Sequence, residues 1–402
     1  MTSGERTEAN LRAYAIHQRV VGSLFWLPTV LLYLIDQVGL TQALQLGALY
    51  YLTVVVLEVP SGWFSDHVGR VAALRVTAVA WVGCHVLFLV GGLGPIAGAQ
   101  VLLAVGYAFL SGTDSTFHFD VLDADGRSSE FESREARVRT GLLYATAVTA
   151  IVGGCLALVD LRLPFVAALL AAAVQLGATV GMSEPPRSAR QASFAADLRS
   201  IAGHLRRPLL AWVTIYVVVE VVLIHLVSEL APPYLVMVLE RPTDEPAGAA
   251  VIAGLLAATV AAIGGLSLRY TESARQRFGV GAVLLALASV TAAASVAMAL
   301  FVSFFVLPLV VSRGVQMAAT QVMVPGIISR RVEQHHRATM LSVTSLLGRC
   351  TYAMVLLVIA AEHLPRVLDT AAMVAVVAAL LAVVTAIRPS VAAELRADQD
   401  AT

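Results

Sequence analysis

The chain has 402 residues, of which 58% belong to the set AVILMFWYC and only 13% are charged. Soluble domains carry about a quarter charged residues, so a mean hydropathy of +0.81 excludes an ordinary soluble enzyme and an intrinsically disordered chain. A formal net charge of zero excludes a strongly basic nucleic-acid-binding protein, and what remains is a polytopic membrane protein.

Hydrophobic runs separated by short polar breaks predict twelve helical spans. The first six cover 13–35, 42–65, 72–92, 96–123, 138–159 and 163–182. The last six cover 208–231, 248–268, 279–297, 299–328, 338–360 and 367–388. The division between spans 9 and 10 rests on the weakest signal, because Val280 to Val311 contains no charged residue. The first apolar run is too long for the core of a cleaved leader and lacks a small-residue cleavage site, so it is read as span 1.

Every one of the 27 basic residues is arginine. With both ends inside, the outer loops hold Arg162, Arg241 and Arg366, Arg313 and Arg349 fall within spans, and the other 22 arginines lie at the inner side. That asymmetry agrees with the positive-inside rule and predicts cytoplasmic termini in a bacterial inner membrane. The three cysteines, Cys84, Cys155 and Cys350, each sit in an apolar stretch and define no disulfide framework.

Three regions follow: an N-terminal bundle over 1–182, a cytoplasmic linker over 183–207 and a C-terminal bundle with tail over 208–402. The linker opens with Ser-Glu-Pro-Pro-Arg, then places Phe194, Leu198, Ile201 and Leu205 at helical spacing, as an amphipathic helix at the membrane surface would. Two six-span halves are the arrangement expected of a secondary transporter built from repeats.

Between spans 2 and 3 stands Gly62-Trp63-Phe64-Ser65-Asp66-His67-Val68-Gly69-Arg70. Gly62 is suited to a close helix approach, Gly69 to a turn with positive φ, and Arg70 offers a planar fork to a carboxylate. This stretch resembles the G-x-x-x-D-[RK]-x-G-R loop of the major facilitator superfamily. Leu57 to Ser61, Ser111 to Leu122 and Arg337 to Ser342 resemble a bacterial subgroup reading E-V-P-[ST]-G. Two positions depart from related patterns: His67 follows Asp66, and Gly153-Gly154 on span 5 lacks a preceding Gly-Pro. The resemblance implies an all-α membrane protein of twelve transmembrane helices in two six-helix bundles. It also implies an inner-gate latch of Glu58, Gly62, Asp66, Gly69 and Arg70, with Asp120 or Asp123 as the carboxylate that Arg70 meets.

Ionisable residues at membrane depth are costly and therefore candidates for function. Asp114 on span 4, Glu220 on span 7, Arg313 on span 10 and Arg349 on span 11 are placed near mid-depth by residue count. His118 shares a face with Asp114, and Gln316 shares one with Arg313. Burial disfavours a charged carboxylate and a nearby arginine favours it, so Asp114 with His118, and Glu220, are the candidates for loading and releasing a proton. A permanent ion pair of Glu220 with Arg313 or Arg349 is the competing reading. Arg349 is read as a structural ion-pair residue, and Arg313, Gln316, Trp26 and Tyr33 as substrate-cavity residues. His335-His336 has no further ligand spacing, and no Walker loop, nucleophile–base set or metal cluster is present, so neither metal, cofactor nor enzyme chemistry is expected.

The sequence therefore predicts a monomeric secondary transporter that exports a small amphiphilic organic compound in exchange for protons by alternating access. Uptake of a small anionic nutrient, with Arg313 as the anion site, is the alternative, and a non-transporting membrane receptor is the third reading. The state of Arg313, free or neutralised by Glu220, separates the first two.

Overall fold

A computed structural model of the chain describes residues 3–186, 203–239 and 247–400. Among these the secondary structure is entirely helical. The amphipathic helix expected over Phe194 to Leu205 and the outer loop at Arg241 fall wholly or mainly outside the described residues.

The helices follow the hydropathy pattern, with informative differences at their ends. Span 1 is not continuous: α1 (Ser3–Val21) and α2 (Val30–Val38) flank an irregular stretch containing Pro28. Proline removes a backbone donor and disfavours helix in the residue before it, which accounts for the break. Irregular backbone at membrane depth is tolerated only against protein. Here Gly153 supplies that contact, because a Cβ on it would collide with the Phe25 carbonyl. A Gly153→Ala protein is expected to lose about 1–3 kcal/mol by overpacking, read as a lower unfolding midpoint in detergent.

α3 (Leu40–His67) and α4 (Arg70–Val90) match spans 2 and 3 within a few residues. Span 4 is divided into α5 (Leu93–Leu110) and α6 (Thr113–Asp123) at Gly112, whose φ of 72° is left-handed. α7 (Phe131–Ala157) begins seven residues before the expected start of span 5 and takes in the charged run Glu132 to Arg139. α8 (Leu163–Val180) completes the first set.

α9 (Pro208–Val238) runs through Pro232 and Pro233, where span 7 was expected to stop. Both prolines are buried among neighbouring helices, a setting in which a membrane helix tolerates the lost bonds. α10 (Ala247–Phe278) extends well past the apolar run of span 8. α11 (Val280–Leu300) and α12 (Leu307–Arg331) are separated by a short extended stretch and one 3-10 turn, which fixes the weakest boundary of the sequence. α13 (Gln334–Ile359) and α14 (Leu364–Ala386) match spans 11 and 12, and an unexpected α15 (Pro389–Asp400) follows. Among the described residues, eleven helical stretches are long and apolar enough to cross a membrane, α5 and α6 counting together as one. The broken first span makes twelve passages.

The helices group into two compact units, Met1–Ala189 with Pro242–Ala258, and Arg190–Arg241 with Thr259–Thr402. In the first, α4 packs against α5 and α8, and α1 against α7 and α8. In the second, Trp212, Tyr216 and Leu223 of α9 lie in one core with Met323 and Ile327 of α12, Met340 of α13 and Ala375 of α14. The indole of Trp212 donates to the Ala382 carbonyl at 3.1 Å, which leaves no unsatisfied donor in that core contact.

Candidate functional site

The loop between α3 and α4 is built around Arg70. Its guanidinium donates to Ser65 Oγ at 3.0 Å, contacts the Asp66 carboxylate one turn away, and lies 3.6 Å from Asp120 on α6. Of the two carboxylates expected to meet Arg70, Asp120 does so, whereas Asp123 is exposed at the last turn of α6 and makes no ion pair with it. Glu58 accepts from Ser111 Oγ at 3.3 Å, so it ties α3 to the α5–α6 junction beside the motif. His67 lies flat on Trp63, with ring centroids 4.6 Å apart.

One participant was not anticipated. Glu184 accepts from the backbone N–H of Arg70 at 2.7 Å and of Val71 at 2.9 Å, closing the open N-terminus of α4 with a carboxylate. Asn10 holds the adjacent Ser183 through both backbone groups, at 3.0 and 2.9 Å. Gly69 is therefore fixed for two reasons: its φ is 145°, and a Cβ would stand 2.8 Å from the Glu184 carboxylate. Gly62 makes no such approach, since a Cβ on it meets nothing within 4 Å, and the expected close helix contact there is corrected. Gly69→Ala is expected to cost about 1–3 kcal/mol of stability. Gly62→Ala is expected to change it by less than about 0.5 kcal/mol, the comparison being unfolding midpoints of the two purified variants.

Deeper in the first unit, α1, α6 and α7 bring six polar side chains together. Asp114 is 6% exposed and sits in the first turn of α6, where the helix dipole favours a negative charge. Its Oδ2 accepts from Gln18 Nε2 at 2.7 Å and from Arg139 Nη2 at 3.2 Å. Arg139 also donates through Nε to Glu135 Oε1 at 2.8 Å. The other oxygen of Glu135 accepts from His118 Nδ1 at 2.8 Å and from the Tyr14 hydroxyl at 3.1 Å. Gln18 closes the ring by donating to the Tyr14 oxygen at 3.2 Å, and Tyr14 stacks on His118 at 4.6 Å.

Two carboxylates here share one guanidinium. With a neutral imidazole the cluster carries one excess negative charge; one bound proton brings it to zero. Asp114 stands about 14 Å from the end of α6 and Arg139 about 12 Å into α7, so the group lies nearer the loop-motif end than the mid-depth expected. The residues missed from sequence are Tyr14, Gln18, Glu135 and Arg139. The Glu135–Arg139 spacing of one helical turn was the available signal, hidden because the expected span opens at 138 and leaves Glu135 in the loop before it.

Glu220 does not join this cluster. It belongs to α9 in the second unit, and among the described residues it forms no hydrogen bond and no ion pair, so the pairing with Arg313 or Arg349 is corrected. Arg349 and Arg313 both lie near enough for their charges to act on His225. His225 in turn packs on Tyr352, whose hydroxyl donates to Glu229 at 2.5 Å. Of the two aromatic residues expected to line the cavity, Tyr33 is corrected to a packing residue: fully buried, its hydroxyl donates to the Phe88 carbonyl, and its ring sits 4.5 Å from that of Phe165. Trp26 borders a narrow cavity of about 20 Å³ with Trp81, His85, Tyr107 and Gln175, a volume suited to a water rather than a solute.

The helical passages and the loop motif are those of membrane transport proteins, and the family model of the Major Facilitator Superfamily matches residues 20–356. The chain belongs to that superfamily, and it is a multi-pass membrane protein that carries a small solute by alternating access. Among solved structures it is similar to a nucleoside transporter, NupG, at a TM-score of 0.75 and 15% identity over 96% of this chain and 100% of that one. It is similar to a D-xylose-proton symporter at 0.67 and 13%, over 94% and 97% of the two chains. The POT family transporter PepTSo matches at 0.71 and 11%, over 95% and 97%. At these identities the likeness is one of fold. No curated protein sequence matches the chain.

Proposed function

We propose that this protein is a proton-coupled secondary transporter that exports a small amphiphilic organic compound, acting as a monomer in a bacterial cytoplasmic membrane with both termini inside. The observation that carries the coupling is the charge imbalance of the Asp114–Glu135–Arg139–His118 cluster. Asp114 is buried and Glu135 partly so, and two carboxylates facing a single arginine leave a place for one proton, which water reaching the cluster from one side or the other would exchange. Asp114 and His118 hold the coupling role with Glu135 and Arg139; Glu220 is a second protonatable group in the other unit. The arrangement of arginines, 22 on one side against three on the other, supports the topology. The Arg70 bonds serve as the latch of the loop-motif end, remade in each cycle.

A second reading, uptake of an anionic solute together with protons, is favoured by one observation: no opposite charge acts on Arg313. Both readings meet the same experiment. The purified protein is reconstituted in liposomes with an imposed pH gradient, and lipophilic cations, organic anions and neutral antibiotics are added in turn. Export by exchange predicts that a compound moves against the proton flux and dissipates the gradient. Co-transport predicts movement with it. A compound carried at the same rate with and without the gradient would remove proton coupling from the account.

A further inference from the structure

The second unit holds a polar group that the coupling cluster does not use. Arg313, Gln316 and Thr320 recur at three- and four-residue spacing along α12, so they lie on one face of that helix. The face turns toward α9, because Thr320 Oγ1 lies 3.1 Å from the Tyr216 hydroxyl and the charge of Arg313 reaches His225. Gln316 is fully buried beside the Tyr216 hydroxyl, yet neither its amide nitrogen nor its amide oxygen makes a hydrogen bond of acceptable geometry. Arg313 has a buried Nε with no partner, and among the described residues its guanidinium has neither a hydrogen bond nor a countercharge.

An unpaired guanidinium at membrane depth is among the least favourable arrangements a protein can hold, and an amide with both ends unsatisfied adds to it. Both deficits vanish together if an anion enters. A planar carboxylate fits the arginine fork and takes a bond from the amide nitrogen; a donor on the same molecule satisfies the amide oxygen.

We propose that Arg313 and Gln316 form the binding site for the carboxylate of the transported compound, an amphiphilic organic acid bearing an N–H or O–H donor close to that group. The assignment rests on the transport reading above and names its substrate class.

Matched pairs test it: benzoate and benzamide, salicylate and salicylamide, indole-3-acetate and indole-3-acetamide, each added to the detergent-solubilised protein during thermal unfolding. A carboxylate present at about ten times its Kd is expected to raise the midpoint by roughly 2–4 °C, and its amide by nothing measurable. Arg313→Gln is expected to abolish the shift, and Arg313→Lys to weaken binding at least about tenfold, because the lysine keeps the charge and loses the fork. Without ligand, Arg313→Gln is expected to unfold at or above the parent's midpoint, since it removes an uncompensated buried charge. Three results overturn the site: no carboxylate acts beyond its amide on the parent, the shift survives in Arg313→Gln, or that variant unfolds well below the parent. Proton movement with lipophilic cations alongside any of these leaves the coupling reading standing and removes the anion site alone. Carboxylate binding without proton movement does the reverse.

Discussion

Arg139→Gln is expected to destabilise the first unit more than any other single change in the Asp114 cluster, by about 2 kcal/mol. Removing one partner of a fully buried ion pair costs about 3–5 kcal/mol, because the remaining charge is left unpaired. Arg139 is 47% exposed, and solvent screening lowers that figure. Its loss would leave Asp114 and Glu135 as two carboxylates with no fixed positive charge. Asp114→Asn carries the opposite expectation. It keeps the shape of the side chain and leaves one carboxylate, Glu135, opposite one arginine, so stability should change little. The double variant should then recover much of what Arg139→Gln loses, with a coupling of at least about 1 kcal/mol in a thermodynamic cycle. Losses that simply add would show that Arg139 and Asp114 do not act on each other.

Arg70→Ala is the second change with a large expected effect. Arg70 joins Ser65, Asp66 and Asp120 at the loop-motif end of the first unit, each contact worth about 0.5–1.5 kcal/mol. Two or three such bonds bias a two-state equilibrium by roughly 10- to 100-fold. The variant is therefore expected to slow transport by at least about tenfold while its unfolding midpoint stays within a few degrees. Amide hydrogen exchange supplies the independent readout, with faster exchange expected in residues 64–71 and in α6. Unchanged exchange in both segments would mean that Arg70 latches nothing.

Much of the fold was legible because the membrane imposes a single rule on length and polarity, and the apolar runs obey it. The boundaries that moved did so where that rule is silent. Helices continue past the apolar stretch when they protrude into polar surroundings, as α7 and α10 do at Glu132 to Arg139 and at Arg269 to Arg277. The break in span 1 depends on Gly153 accepting the Phe25 carbonyl, a contact between residues more than 120 positions apart that no local pattern reveals.

The candidate site was half visible. Asp114, His118 and Arg70 are charged or titratable in places where such residues are expensive, and that expense is readable. Their partners were not, for different reasons. Glu135 looks like a loop residue beside so many other charges, and Arg139 like one more inner-side arginine at the start of a span. Tyr14 and Gln18 are neutral and carry no burial penalty that a sequence displays. Glu184 stands in what reads as a linker, yet it caps α4, and its closeness to residue 69 adds to the positive φ a second reason for glycine there that no local pattern reveals. Depth marked Glu220 equally as a proton carrier and as a partner for an arginine, and among the described residues it makes no ion pair.

Assignment of the coupling proton to the Asp114 cluster is the proposal on which the transport reading turns. It is tested most directly by counting protons moved per solute in liposomes, for the parent and for Asp114→Asn, with a compound the parent carries. The parent is expected to move protons with each turnover, whereas Asp114→Asn is expected to let the compound run down its own gradient and to move none. Proton movement by Asp114→Asn at the parent's ratio would contradict it and place the coupling proton elsewhere in the chain.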